Sequence, residues 1–176
     1  MRIKMKRIVL IFLVLIVGLC GCRKFEKEVL ISKATIQDMV AKKFPYKKDV
    51  IIAKINLNSP QVYFREKSIG LKLEYYGNFL EKGIKGHIDF NGQIFYKPEK
   101  GAFFIKDFKI VDLFVNKADF SGREIFKAVV LKIVSIYLED YPVYKLNPSD
   151  FKQSITKLLV KSVSVKNESL SVLLSI

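Results

Sequence analysis

The feature that most constrains this chain is a run of two-residue alternation across residues 50–115. Ile51, Ala53, Ile55 and Leu57 alternate with polar partners, and a piece over 61–65 follows Pro60. Ile69, Leu71, Leu73, Tyr75 and Phe79 alternate with Lys72, Glu74 and Asn78, and Ile84, Ile88, Phe90 and Ile94 with Lys85, His87, Asp89 and Gln93. A period of two sends successive side chains to opposite faces, so these segments read as half-buried antiparallel strands. Glu81-Lys82-Gly83 and Lys97-Pro98-Glu99-Lys100-Gly101 read as turns. Asn91-Gly92 also suits a hairpin turn, but the alternation continues across it and favours an unbroken strand. Residues 103–115 are apolar on both faces: Phe103, Ile105, Val111 and Leu113 on one, Phe104, Phe108, Ile110 and Phe114 on the other. Polar residues cluster there at Lys106-Asp107 and at Asp112, so a bulge or strong bend is expected.

Three helices flank this block. Ser32 reads as the cap of a helix over 33–43, after a strand begun at 29–31; Ile36, Met39, Val40 and Phe44 share one face and Pro45 ends it. Ser121-Gly122-Arg123-Glu124 is a capping-box pattern opening residues 125–138, of which eleven in fourteen are apolar. An apolar face that wide is expected to be wrapped by other structure, and the helix is too short and too charged at its edges to span a bilayer. Asn147-Pro148-Ser149-Asp150 is expected to cap the third helix, with proline at its first position and Phe151, Ile155, Leu158 and Leu159 on its buried face. An extended piece over 141–146 separates the last two helices, and Leu170, Val172, Leu174 and Ile176 form a closing strand. The expected fold class is therefore α+β, a strongly curved antiparallel sheet wrapped around a long apolar helix with two further amphipathic helices.

The beginning of the chain points to export. Arg2, Lys4, Lys6 and Arg7 precede an apolar run over 8–17 that closes on Leu19-Cys20-Gly21-Cys22. A basic start, a short apolar stretch and small residues before a cut describe a signal peptide. The run is about half of the roughly 20 residues a span needs. Leu-x-Gly-Cys resembles the lipobox of bacterial lipoproteins, which implies a diacylglycerol on the Cys22 thiol, cleavage before Cys22 and an N-acyl chain on the new terminus. Cys20 is the poorer attachment point because bulky Leu19 precedes it. Only Cys22 then remains in the mature chain, so no intramolecular disulfide supports the fold.

Charge and motifs narrow the function classes. The formal net charge is +14, and past the signal 27 basic residues face 17 acidic ones. Export argues against nucleic acid and towards anionic headgroups or envelope polymers. Arg23, Arg65 and Arg123 are the only arginines past the signal, and lysine is less suited than arginine to dedicated phosphate recognition. His87 is the only histidine; it lies at an outward strand position, where solvation accounts for it. No nucleophile elbow, phosphate-binding glycine loop or clustered metal-ligand set is present. No enzyme activity, metal site or cofactor is expected beyond the acyl groups on Cys22.

The element order, together with Glu99-Lys100-Gly101-Ala102-Phe103-Phe104-Ile105-Lys106-Asp107 running into Val111-Asp112 and Tyr141-Pro142-Val143-Tyr144-Lys145-Leu146, resembles the YceB-like family of bacterial lipoproteins. The resemblance covers essentially the whole mature chain. It implies a fold similar to tubular lipid-binding domains, in which a curved sheet holds a helix around an apolar groove. The organisation read here is a lipoprotein signal at 1–21, the lipidated cysteine and linker at 22–28, and one domain at 29–176. The candidate apolar-ligand groove comprises Phe90, Ile94, Phe103, Ile105, Val129, Ile133 and Ile136.

Two functions stand side by side: a membrane-anchored, non-enzymatic module holding lipid or another apolar ligand, and a structural or assembly lipoprotein with a dry core that contacts an envelope protein. Arg23 follows Cys22 and no aspartate marks inner-membrane retention. In a cell with two membranes the expected location is thus the periplasmic face of the outer membrane. Substituting Cys22→Ala is expected to abolish metabolic labelling by palmitate and to move the protein from the detergent phase to the aqueous phase on Triton X-114 partitioning.

Overall fold

In the computed structural model, residues 26–116, 122–147 and 149–175 are described. The segment expected to be a signal, Cys22, Ser121, Pro148 and Ile176 lie outside them, so expectations placed on those residues meet no structure. The elements are β1 (Glu26–Ser32), α1 (Lys33–Ala41), β2 (Tyr46–Val50), β3 (Ala53–Arg65), β4 (Ser68–Phe79), β5 (Lys82–Lys97), β6 (Ala102–Val115), α2 (Arg123–Asp140), β7 (Tyr144–Lys145), α3 (Phe151–Leu159), β8 (Val160–Lys166) and β9 (Ser169–Ser175). They form a six-stranded sheet, ordered β2-β3-β4-β5-β6-β7, and a three-stranded sheet, ordered β1-β9-β8. Every strand pair is antiparallel.

This corrects the expected fold class. Among the described residues the protein is mostly β, in two sheets with three short helices, and no long apolar helix sits inside a single wrapped sheet. α2 has 18 residues and buries one stripe: Phe126, Val130, Ile133, Val134, Tyr137 and Leu138. Ile125, Lys127, Ala128, Lys132 and Glu139 remain exposed. Apolar content overstated its burial, because an apolar side chain on the outward side of a helix is tolerated in water. The strand count also divides differently, since β1 and β9 pair with each other rather than extending the meander. No helix of the described residues is long and apolar enough to cross a membrane.

Local signals place most elements. Ser32 caps α1, its Oγ accepting from the Thr35 N–H at 3.2 Å. Ile36 and Val40 of α1 are buried. Between them Gln37 reaches the bulge of β3, donating to the Pro60 carbonyl and accepting from the Val62 N–H, both at 2.7 Å. Backbone groups that the bulge removes from the strand ladder are thereby satisfied. The β4–β5 turn is the two-residue Leu80-Glu81, both in the left-handed region, rather than the expected Glu81-Lys82-Gly83. Ala53, Ile55 and Leu57 are buried as the alternation demands, but Ile51 is at the tip of the β2–β3 turn and fully exposed. α3 begins at Phe151, where Asp150 Oδ1 accepts from the Gln153 N–H.

One apolar core joins both sheets and the first two helices, with Leu170 and Val172 of β9 in the same cluster as Phe79, Phe90 and Phe126. Phe126 near the start of α2 meets Tyr75 and Phe79, with ring centroids 5.4 and 5.3 Å away. Tyr137 near its end meets Phe44, Tyr46 and Tyr141 at 5.2, 5.0 and 5.0 Å. Burial pushes the Tyr137 hydroxyl above its ordinary value, with Tyr141 and Tyr46 adding to the effect; burial alone raises Tyr75. A raised tyrosine contributes stability that is fully present below about pH 10 and is lost as pH rises towards its folded value. The tyrosine contribution is therefore expected to hold constant up to about pH 10 and to fall above it. In urea titrations at stepped alkaline pH, Tyr137→Phe should decline less steeply, by up to about 1.4 kcal/mol per pH unit.

Candidate functional site

The meeting of α2 with β5 and β6 is shaped by two irregularities in β6. Asn91 pairs with Lys109 while Gln93 pairs with Lys106, so β6 carries an extra residue opposite Gly92. Asp107 in that bulge is left-handed, at φ 50°. Gly92 is required because a Cβ there would lie 2.6 Å from both the Lys106 carbonyl oxygen and Ile105 Cγ2. The unbroken strand through Asn91-Gly92 is thus observed, and its glycine seats the bulge. A second shift, between the pairs Asp89–Asp112 and Phe90–Ile110, places an extra Val111 on β6.

The expected faces of β6 change accordingly. Phe103 and Ile105 are buried, but past the first bulge Phe108 and Ile110 pack against the core while Val111 is exposed. Phe108 meets Phe90 edge-on at 5.9 Å. Each inserted residue reverses the strand's alternation, which explains why apolar residues lie at both parities in this segment.

Between this bulged stretch and the last turns of α2 is a cleft of about 200 Å³. Phe95, Ile105, Phe108 and Leu138 give it apolar walls, and Lys97, Lys106, Asp107, Ser135 and Glu139 complete its lining. Beside it Phe95 and Phe104 pack with centroids 5.9 Å apart. Lys97 Nζ is 4.6 Å from the Phe104 centroid, Lys100 Nζ 5.4 Å from the same ring, and Lys106 Nζ 5.9 Å from Phe95. Phe104 is only 1% exposed although it neighbours inward-facing Phe103 and Ile105 in the strand. Lysine stems cover apolar surface while their ammonium groups stay in water, held over ring faces by cation–π attraction. The border also carries Asp107, 3.9 Å from Lys106 Nζ, and Glu139, so the recess suits a ligand with an apolar body and a polar or anionic end that Lys97 and Lys100 can meet.

The groove residues read from the sequence are distributed unevenly. Phe90, Ile94, Phe103, Ile105 and Ile133 are buried in the core, and Val129 and Ile136 are half-buried on α2. Of the seven, only Ile105 lines the cleft. Phe95, Phe108 and Leu138 lie outside the groove set read from the sequence; the Lys106-Asp107 polar break is the sequence signal that points to Phe108. His87 faces outward as read, but it is engaged rather than merely solvated. Its Nε2 is 2.9 Å from Asp112 Oδ2, and its ring stacks on Phe114. Nearby, the Tyr63 hydroxyl donates to the Asp89 carboxylate across Gly70, where a Cβ would strike the tyrosine ring. Burial, then the bond to Asp89, pushes Tyr63 upward and keeps it a donor. Among the described residues no group of three or more His, Cys, Asp or Glu could hold a metal ion.

A family model described as a protein of unknown function (DUF1439) matches residues 31–169. No curated protein matches the chain.

The seat of the bulge is testable. Gly92→Ala forces a methyl against backbone oxygen and should lower stability by about 1–3 kcal/mol, read as a lowered urea midpoint. Gly83→Ala, whose nearest neighbour would be Asn78 Oδ1 at 3.9 Å, should change it far less.

Proposed function

The chain belongs to the DUF1439 family, and from that premise we propose that it is a membrane-tethered, non-enzymatic binding protein for the apolar part of an amphipathic ligand. Kinship with the YceB-like lipoproteins and acylation of Cys22 are part of this reading, as is a place at the periplasmic face of the outer membrane. The ligand site is the cleft between α2 and β5–β6. The observation that carries the reading is the apolar wall of Phe95, Ile105, Phe108 and Leu138 beside Lys97 and Lys106. A volume of about 200 Å³ falls below the roughly 300–1,000 Å³ of sites that enclose a whole small molecule. The cleft therefore suits a segment of an acyl chain, with the ligand's anionic end among the lysines outside. No step of bond making is assigned to any residue.

Native mass spectrometry of protein extracted without detergent tests this. Wild type should carry an added mass corresponding to one acyl-bearing molecule. Ser135→Trp, which fills the rim of the cleft, should lose that mass while keeping the circular dichroism spectrum. A bare protein mass in wild type, with no binding of an apolar fluorophore, would overturn the reading and leave the dry-core, partner-contacting role.

A further inference from the structure

The two hairpin tips at one end of the six-stranded sheet break the usual rule for turns. The β2–β3 turn is Ile51-Ile52 and the β4–β5 turn is Leu80-Glu81. Ile51 is 104% exposed and Leu80 51% exposed. Leu80 and Glu81 are both left-handed, at φ 48° and 63°. Such positions favour Asn, Asp or Gly, and Asn167 opens the β8–β9 turn in that manner, at φ 48°. A leucine there accepts backbone strain in order to put an apolar side chain in water.

The tips act as one surface. The Leu80 N–H donates to the Ile52 carbonyl at 2.9 Å, holding the two turns side by side. Tyr76 and Phe114, also large and exposed, lie on strands ending at this same end of the sheet. By contrast Leu30 and Leu158 stand on separate elements, and isolated exposed apolar residues are ordinary. At the opposite end the turns are polar, Glu66-Lys67 and Pro98-Glu99-Lys100-Gly101.

Charge surrounds the apolar tips. Lys47, Lys54, Lys82 and Lys85 border them, against Asp49 and Glu81. Two clefts of about 450 and 610 Å³ open beside the tips and share Lys54 and Asn78. The larger is lined by Asn56, Tyr76, Lys85 and Asn116 among others. Amide and ammonium donors recessed behind apolar tips match a phosphodiester headgroup layer above hydrocarbon. A protein partner would not require this layering, in which the apolar groups project furthest and the cations sit behind.

We infer that this end of the molecule docks on an anionic phospholipid bilayer, with Ile51, Ile52 and Leu80 entering the interface and Lys54 and Lys85 meeting headgroup phosphates. The surface is separate from the ligand cleft and does not rest on it. It also faces away from the start of the described chain. Glu26 pairs with Lys161 close after α3, and α3 is bonded to Tyr96 and to Glu99 at the far end of β5. β5 has 16 residues, on the order of 50 Å at roughly 3.3 Å each.

The chain contains no tryptophan, so an introduced one reports only its own surroundings. Full-length Ile51→Trp should shift its emission to the blue and be quenched by doxyl-labelled lipid in phosphatidylglycerol vesicles. It should not respond to phosphatidylcholine vesicles, and the effect should fade as salt rises. Lys67→Trp, at the opposite end, should stay water-exposed throughout. Lys54→Gln and Lys85→Gln in the Ile51→Trp background should each raise the half-quenching lipid concentration about fivefold. No quenching of Ile51→Trp, equal quenching of Lys67→Trp, or equal response to neutral vesicles would overturn the inference.

Discussion

α2 is held at both ends by aromatic contacts to different strands. Phe126 packs on Tyr75 and Phe79 of β4, while Tyr137 packs on Phe44 and on Tyr46 of β2. Much of the remaining structure depends on this pair of contacts. They fix where the helix crosses the sheet and bring Ser135 and Leu138 over the bulged part of β6. Aromatic side chains suit the task because each buries a large area at the cost of few rotatable bonds. No disulfide within the described domain assists, since both cysteines lie at or before residue 22.

Opposite the helix, Gly92 admits a bulge that a side chain would exclude. The bulge turns Phe108 towards the core and leaves Lys106 and Asp107 at the surface. An apolar recess and a charged border thus arise from adjacent residues of one strand. Only a break in the two-residue period allows that arrangement, because regular alternation would have sent neighbours to fixed opposite faces.

The molecule has two chemically different ends. One holds the polar turns, α3 and the start of β1; the other carries Ile51, Ile52 and Leu80 among lysines. The proposed cleft lies towards the polar end, where Phe95 and Lys97 close β5. It therefore stands apart from the inferred docking surface, and neither depends on the other.

The parts legible from residues alone are those governed by near neighbours. Ser32 capping α1, the buried set Ala53, Ile55 and Leu57, and the closing strand with Leu170, Val172 and Leu174 all follow from local period and hydrogen-bonding chemistry. Only the tertiary structure decided which strands share a sheet, since Glu28 and Ser171 meet across 143 positions of sequence and no local pattern encodes such a partner. It also decided which apolar residues are covered: Ile51, Ile125 and Val111 resemble core residues in composition, yet each is exposed. By itself the sequence determined where most strands and helices form, because backbone period and caps act within a few residues, but it showed no strand over β2 or β8. Their grouping into two sheets, the parity of β6 and the position of the cleft were decided by packing, because burial is a property of what lies opposite a side chain rather than of the side chain itself.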